Sequence, residues 1–297
     1  MARAQAVVSV VGRDQKGVVA RFATHMAEHG VNIEDIRQQV VHGQFIMDML
    51  VDLADMSMSL DELITGLLTL GQSLDMDVRV SLHDQRRPKR VAVLVSKEPH
   101  CLEQLVDDQD AGRFHNRGEI VCVLGNHPVL EAVAGEAKAP FEWKTADDKP
   151  AHFAWLLERL QHYQADVVVL ARYMQIVPPE IVQAFPYRII NIHPSLLPYF
   201  PGANPYRQAW KSGVRVTGCT AHFVTEALDE GPIILQDVFH IDVGKDTAHD
   251  VRDKGQALEA GVLSHAVQTF LDEKLVVVDD KVVFRPGLSA FFDHKED

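Results

Sequence analysis

The stretch Val91-Ala92-Val93-Leu94-Val95 decides the fold class, because it is a run of apolar, mostly β-branched residues with no polar position to turn toward water. Continuous apolar runs of this length suit strands buried on both faces, as in parallel sheets covered by helices, and not the alternation of a half-exposed sheet. Similar runs recur at 120–124, 167–170 and 188–192, with helical stretches between them, one of them near 154–163. Strands and helices in alternation predict an α/β domain with a doubly wound, mostly parallel sheet. The segment 247–271, with Val251, Leu258, Val262, Val267 and Phe270 apolar, reads as a closing helix. Sheets of this kind bind ligands outside the carboxyl ends of their strands.

The residue types found at those ends suit acyl transfer. After the run at 188–192 comes Asn191-Ile192-His193-Pro194-Ser195-Leu196-Leu197-Pro198, where an amide and an imidazole two residues apart on a strand point the same way. Further on, Thr220-Ala221-His222-Phe223-Val224-Thr225 leads into Leu228-Asp229-Glu230-Gly231-Pro232, which delivers a carboxylate in a loop. A donor for an oxyanion, a base and an orienting carboxylate make up a metal-free acyl-transfer site. Taken singly, Asn191 is equally a turn cap and His193 equally a packed side chain, while Asp229 beside Gly231-Pro232 is more often a turn former than a catalyst. His193, His222 and Asp229 are also metal-ligand types, but the chain has neither a His-Glu-x-x-His helix nor a cysteine pair, so no metal and no cofactor is expected.

Residues 5–83 follow a different pattern. Val18, Val19, Phe22, Met26 and Ala27 fall on one helical face, and a second helix from about Leu60 carries Leu63, Ile64, Leu67 and Leu68. Extended runs at 6–11, 31–41, 45–52 and 76–82 surround them, which gives the order βαββαβ, a ferredoxin-like plan. The basic cluster Arg86-Arg87-Pro88-Lys89-Arg90 marks the boundary, so the expected division is a domain over 1–84, a linker over 85–90 and a second domain over 91–297.

Composition narrows the function classes. A net charge of −13 over 297 residues, with no long basic run, argues against a nucleic-acid partner. No apolar run approaches the roughly 18 residues of a membrane span. Cys101, Cys122 and Cys219 lie far apart in the sequence, which points to a reducing, cytoplasmic setting without disulfides.

The joint occurrence of Asn191 to Pro198, Gly218 to Val224 and Leu228 to Gln236, in that order, resembles the folate-dependent formyltransferase superfamily from Val91 onward. The resemblance implies that Asn191, His193 and Asp229 form the catalytic set. It also implies that Arg172-Tyr173-Met174-Gln175-Ile176-Val177 receives a pterin largely through backbone groups, with His222, Val224 and Thr225 on the other side. The N-terminal unit resembles an ACT domain, a module that often binds amino acids. This implies an effector such as glycine or methionine near Asp14, Gly17 and Asn32, together with side-by-side assembly into a homo-oligomer. Gly17 permits close backbone approach, and a helix N-terminus there can receive a carboxylate.

An ACT domain ahead of this catalytic domain is the arrangement of the deformylase branch, which implies hydrolysis of 10-formyltetrahydrofolate to tetrahydrofolate and formate. The run Ser96-Lys97-Glu98-Pro99 agrees, since it has no glycines to let a backbone wrap a phosphate and Glu98 would repel one. The segment Gly202-Ala203-Asn204-Pro205-Tyr206 also resembles that branch. Pro194 and Leu196 stand where deformylases commonly carry His and Phe, which leaves transfer of the formyl group to a small amine as the alternative.

Overall fold

The computed structural model describes residues 5–82, 87–199 and 204–285, which group into two compact units. Of the described residues, the first unit contains 5–82, 87 and 283–285, and the second contains those between 88 and 282. The domain expected over 91–297 therefore gives up its last described residues, Val283 to Arg285, to the first unit.

The first unit runs β1 (Gln5–Arg13), α1 (Val18–Glu28), β2 (Asn32–Val41), β3 (Gln44–Asp52), α2 (Leu60–Ser73) and β4 (Met76–Leu82), the expected βαββαβ order. Its sheet is antiparallel throughout, in the order β2-β3-β1-β4. Alternation sorts the strands' side chains: Val8, Val10, Met47 and Met49 pack against Phe22, Met26, Leu63 and Leu67 of the helices. Ser59 and Glu62 form a capping box that starts α2. The other face of the sheet holds a polar cluster. Ser9 and Asp48 stand directly opposite on β1 and β3, and the Ser9 hydroxyl donates to Asp48 at 2.6 Å. Arg285 donates to the same carboxylate oxygen at 2.7 Å and to the serine Oγ at 3.2 Å, and all three residues are buried.

The second unit opens with β5 (Lys89–Val95), α3 (His100–Asp110), β6 (Gly118–Gly125), a 3-10 turn, α4 (Glu131–Glu136), β7 (Phe141–Trp143), α5 (Lys149–His162) and β8 (Val167–Ala171). It continues with α6 (Pro179–Ala184), β9 (Ile189–His193), α7 (Pro205–Lys211), β10 (Val216–Phe223), β11 (Ile233–His240) and α8 (Ala248–Leu271). β12 (Leu275–Val278) and β13 (Lys281–Phe284) follow as a two-stranded sheet. Lys89 and Arg90, expected in the linker, belong to β5, where Lys89 pairs with Glu273 at 2.5 Å. Residues 83–86, the start of that expected linker, lie outside the described residues.

The main sheet has the order β11-β10-β9-β8-β5-β6-β7. β7 through β9 along this order are parallel, while β10 and β11 are added antiparallel. The unbroken apolar runs have the expected cause. Val91, Val93 and Val95 enter one core with α3 and α8, and Ala92 and Leu94 enter a second core with α5 and α6. The chain leaves β5 toward β6 on one side and returns to β8 on the other, so the topological switch lies between β5 and β8, where a crevice opens at the strand ends.

Candidate active site

The two loops at the switch point are tied together. The backbone N–H of Met174, in the loop after β8, donates to the Ser96 hydroxyl after β5 at 2.8 Å. Arg172 adopts a left-handed backbone, φ 60°, and its Nε lies 2.8 Å from Glu98 and 3.3 Å from Glu259 of α8. Arg252 adds a second guanidinium to Glu98 at 2.8 Å. Burial alone would raise the Glu98 carboxyl, but Arg172, then Arg252, hold it below the usual carboxylate range.

Asn191 and His222 meet because they are direct partners in the antiparallel β9–β10 ladder, which places their side chains on one face. His193, two residues along, shares that face. Burial lowers the His222 pKa, so its ring is neutral at pH 7. Its Nδ1 donates to the Phe223 carbonyl at 2.9 Å, which leaves Nε2 to accept from the Asn191 amide nitrogen at 3.2 Å. The bond orients the Asn191 amide. The turn after His193 is held on β10, since Thr220 Oγ1 donates to the Ser195 carbonyl at 2.7 Å and accepts from the Leu197 N–H at 3.0 Å.

Asp229 comes from the loop between β10 and β11. That loop closes tightly, since a Cβ on Gly231 would lie 1.8 Å from the Phe223 carbonyl oxygen and only glycine fits. Asp229 itself is left-handed, φ 56°. Its Oδ2 lies 3.3 Å from His193 Nδ1 and its Oδ1 3.9 Å from His222 Nε2. The hydrogen bond with His193 holds the Asp229 carboxyl below its ordinary value, so it is ionised at neutral pH. His193 Nε2 is buried and, among the described residues, has no hydrogen-bond partner.

These groups line a cleft of about 1090 Å³. Met174 and Ile176, each 65% exposed, lie along one side and Leu228, 60% exposed, along the other, so apolar surface awaits a flat partner. Glu98, Arg172, Arg252 and Glu259 also line the cleft. Ligand atoms of His100, Cys101 and Glu259 lie within 4.8 Å of one another, yet Arg172 already neutralises Glu259 and burial pushes the Cys101 thiol up, so the group is an ion-pair cluster.

The residues read from the sequence are distributed as follows. Asn191, His193 and Asp229 come together, with His222 beneath Asn191. Met174, Gln175 and Ile176 lie open in the cleft, Val224 and Thr225 line it opposite, and Tyr173 and Val177 are almost buried. The side chain of Arg172 is turned into ion pairs. Asn204, Pro205 and Tyr206 line the cleft, while residues 200–203 lie outside the described residues. In the first unit, Gly17 is the left-handed N-cap of α1, φ 87°. Asn32, however, aligns with Asp52 and Gln5, whereas Arg13, next to Asp14, aligns with Gln44. Asn32 and Asp14 thus lie at opposite ends of the sheet, roughly 30 Å apart along the strands at about 3.3 Å per residue. Within one chain they do not meet. Sequence reasoning gave no role to Arg252, Glu259 or Ser96, because nothing local tells these charges from the other charged residues of α8, or marks a lone Ser after a strand.

Residues 89–267 match the formyl transferase family and residues 4–81 the ACT domain. The chain is 37% identical to formyltetrahydrofolate deformylase from Bacillus subtilis over 91% of its length and 90% of that protein. Among solved structures, a formyltetrahydrofolate deformylase from Pseudomonas syringae superposes with a TM-score of 0.84 at 33% identity, covering 96% of this chain and 95% of that one. Glycinamide ribonucleotide transformylase 1 from Symbiobacterium toebii superposes with a TM-score of 0.63 at 37% identity, covering 67% of this chain and 95% of that one.

Proposed function

This chain belongs to the formyl transferase family, in its ACT-bearing deformylase branch, and from that membership we propose that it hydrolyses 10-formyltetrahydrofolate to tetrahydrofolate and formate. The observation that carries the reading is the unpartnered His193 Nε2, buried in the cleft beside an oriented amide and an ionised carboxylate. With Nδ1–H donating to Asp229, His193 presents the Nε2 lone pair and takes a proton from water held near Asp229. The water oxygen bonds to the formyl carbon on N10. Asn191 and the newly protonated His193 donate to the resulting oxyanion, and Asp229 stabilises the imidazolium. Breaking the C–N bond returns the proton to N10 and leaves formate. The pterin lies on the loop Arg172–Val177 with Val224, Thr225 and His222 opposite, and the substrate's aromatic rings cover Met174, Ile176 and Leu228. No metal or cofactor enters these steps.

Water is the acceptor in this reading because Glu98 already occupies both Arg172 and Arg252, so those cations are not free for a phosphate-bearing amine. Pro194 and Leu196 favour the transferase alternative. Formate release without any added amine separates the two, and strict dependence on an amine such as glycinamide ribonucleotide would sink the hydrolase reading.

The first unit is the regulatory part. A glycine or methionine binds between two copies, where Asp14 and Gly17 of one chain meet Asn32 of another, since one chain cannot bring them together. A homo-oligomer follows, and the three free, buried cysteines suit a cytoplasmic setting. Light scattering with and without each amino acid, on the parent and on Asn32→Ala, tests this. A monomer that responds to the amino acid would refute the shared site.

A further inference from the structure

The loop after β8 is pinned at three consecutive residues. Arg172 is held by Glu98 and Glu259, and the Met174 N–H by Ser96, both from residues that line the cleft. The middle pin comes from outside the cleft. The Tyr173 hydroxyl is hydrogen-bonded to Nε2 of His152, a residue with 0% exposure in the first turn of α5. Asp148 caps that turn by accepting from the Ala151 N–H at 3.1 Å, so the imidazole sits on a fixed platform. Its ring lies 5.6 Å from Trp155 and 6.2 Å from the Tyr173 ring, inclined 20° to the latter. Burial lowers the His152 pKa and raises that of Tyr173, so the phenol keeps its proton and donates it to a neutral imidazole. The remaining ring proton is then on Nδ1, which faces the backbone at Lys144 and Thr145 without a well-formed hydrogen bond. No part of the proposed chemistry uses this buried polar pair, and Tyr173 is itself only 6% exposed.

We propose that His152 is a positioning residue: through the Tyr173 hydroxyl it fixes the loop 172–177 in the form that presents Met174, Gln175 and Ile176 to the substrate. The consequence for substrate binding rests on the folate reading, whereas the pin itself does not. A packed histidine with no such role would support stability alone, and its loss would leave affinity and loop motion unchanged.

The test compares Tyr173→Phe, which removes one oxygen, with His152→Leu, His152→Gln and the double variant Tyr173→Phe/His152→Leu. Hydrogen–deuterium exchange of amides 172–177 is measured without ligand, and KM, kcat and tetrahydrofolate affinity on the same proteins. Losing one buried hydrogen bond should speed exchange there and raise KM and the tetrahydrofolate Kd about tenfold, with kcat within about threefold of the parent. His152→Gln, which keeps an acceptor, should recover most of the loss, and the double variant should be no worse than the worse single one. Unchanged exchange and KM in Tyr173→Phe, or a fall in kcat at constant KM, would overturn the proposal. If the parent bound no tetrahydrofolate, the folate reading would fall, while the exchange data would still decide the pin. Should His152→Leu not fold, Tyr173→Phe decides alone.

Discussion

Ser9 and Asp48 face each other across β1 and β3 in the first unit, as Asn191 and His222 do across β9 and β10 in the second. Both pairs use the same device, direct opposition in an antiparallel ladder, and both recruit a third charged group from elsewhere in the chain. Arg285 completes the first cluster, in which the serine hydroxyl and the guanidinium both serve one carboxylate and all three residues are buried. Asp229 completes the second, yet among the described residues His193 Nε2 finds no hydrogen-bond partner beside an open cleft. A closed polar cluster supports a fold, whereas one left with an unpaired nitrogen beside a cavity has capacity for chemistry.

The largest expected effects break the second cluster. Asn191→Ala removes an oxyanion donor and should lower kcat by about 10² to 10³. Asp229→Asn removes the charge behind the base and should lower it by about 10² to 10⁴. Both should melt close to the parent temperature, since the cleft already admits water. Formate production and a thermal melt on each variant test this, and parental turnover in both would remove the site assignment.

Breaking the first cluster should do the reverse. Asp48→Leu removes the buried carboxylate that both Arg285 and the Ser9 hydroxyl serve and should destabilise the first unit by up to about 3 to 5 kcal/mol in urea unfolding, with kcat per folded molecule preserved. Asp48→Leu combined with Arg285→Met should recover most of that loss, because a buried ion pair replaced by apolar groups is often neutral. If Asp48→Leu abolished turnover without unfolding, the contrast between a structural and a chemical cluster would collapse.

The smallest effect concerns His222. Burial places its folded pKa below the unfolded value of about 6.5, so between those two values the unfolded chain binds more protons than the folded one. Its contribution to stability is complete above pH 6.5 and is lost as the pH falls from there toward the folded pKa. His152 is lowered by burial in the same direction, so His222→Asn should flatten the slope of stability below about pH 6.5 without abolishing it. Urea titrations across that range measure the slope, and an unchanged slope would mean that the His222 ring is protonated or unburied in the folded state.

Legibility from sequence followed locality. The strands at Val91–Val95 and Val167–Leu170 were readable because burial on both faces removes every polar residue from a short run. β7, with the pattern Phe-Glu-Trp, has too few residues to show a period, and β11 (Ile233–His240) has one mostly exposed face that obscures its alternation. Asn191 and His193 were legible because two-residue spacing on a strand fixes a shared direction. The pairing of Arg172 with Glu98 and Glu259 was not, because a charged side chain on a loop carries no mark of the helix that it will meet.

What the sequence by itself determined was the order of elements, the α/β class and the types of reacting group, because periodicity and close spacing are properties of neighbours. Only the tertiary structure decided that Asp229 reaches His193, that Tyr173 leans on His152, and that Arg285 closes on Asp48 across 237 positions of chain. The physical reason is that a charge or a hydrogen-bonding group acts through distance in space. Whether it ends up paired, buried or left open to a substrate depends on which distant backbone the hydrophobic core brings alongside it.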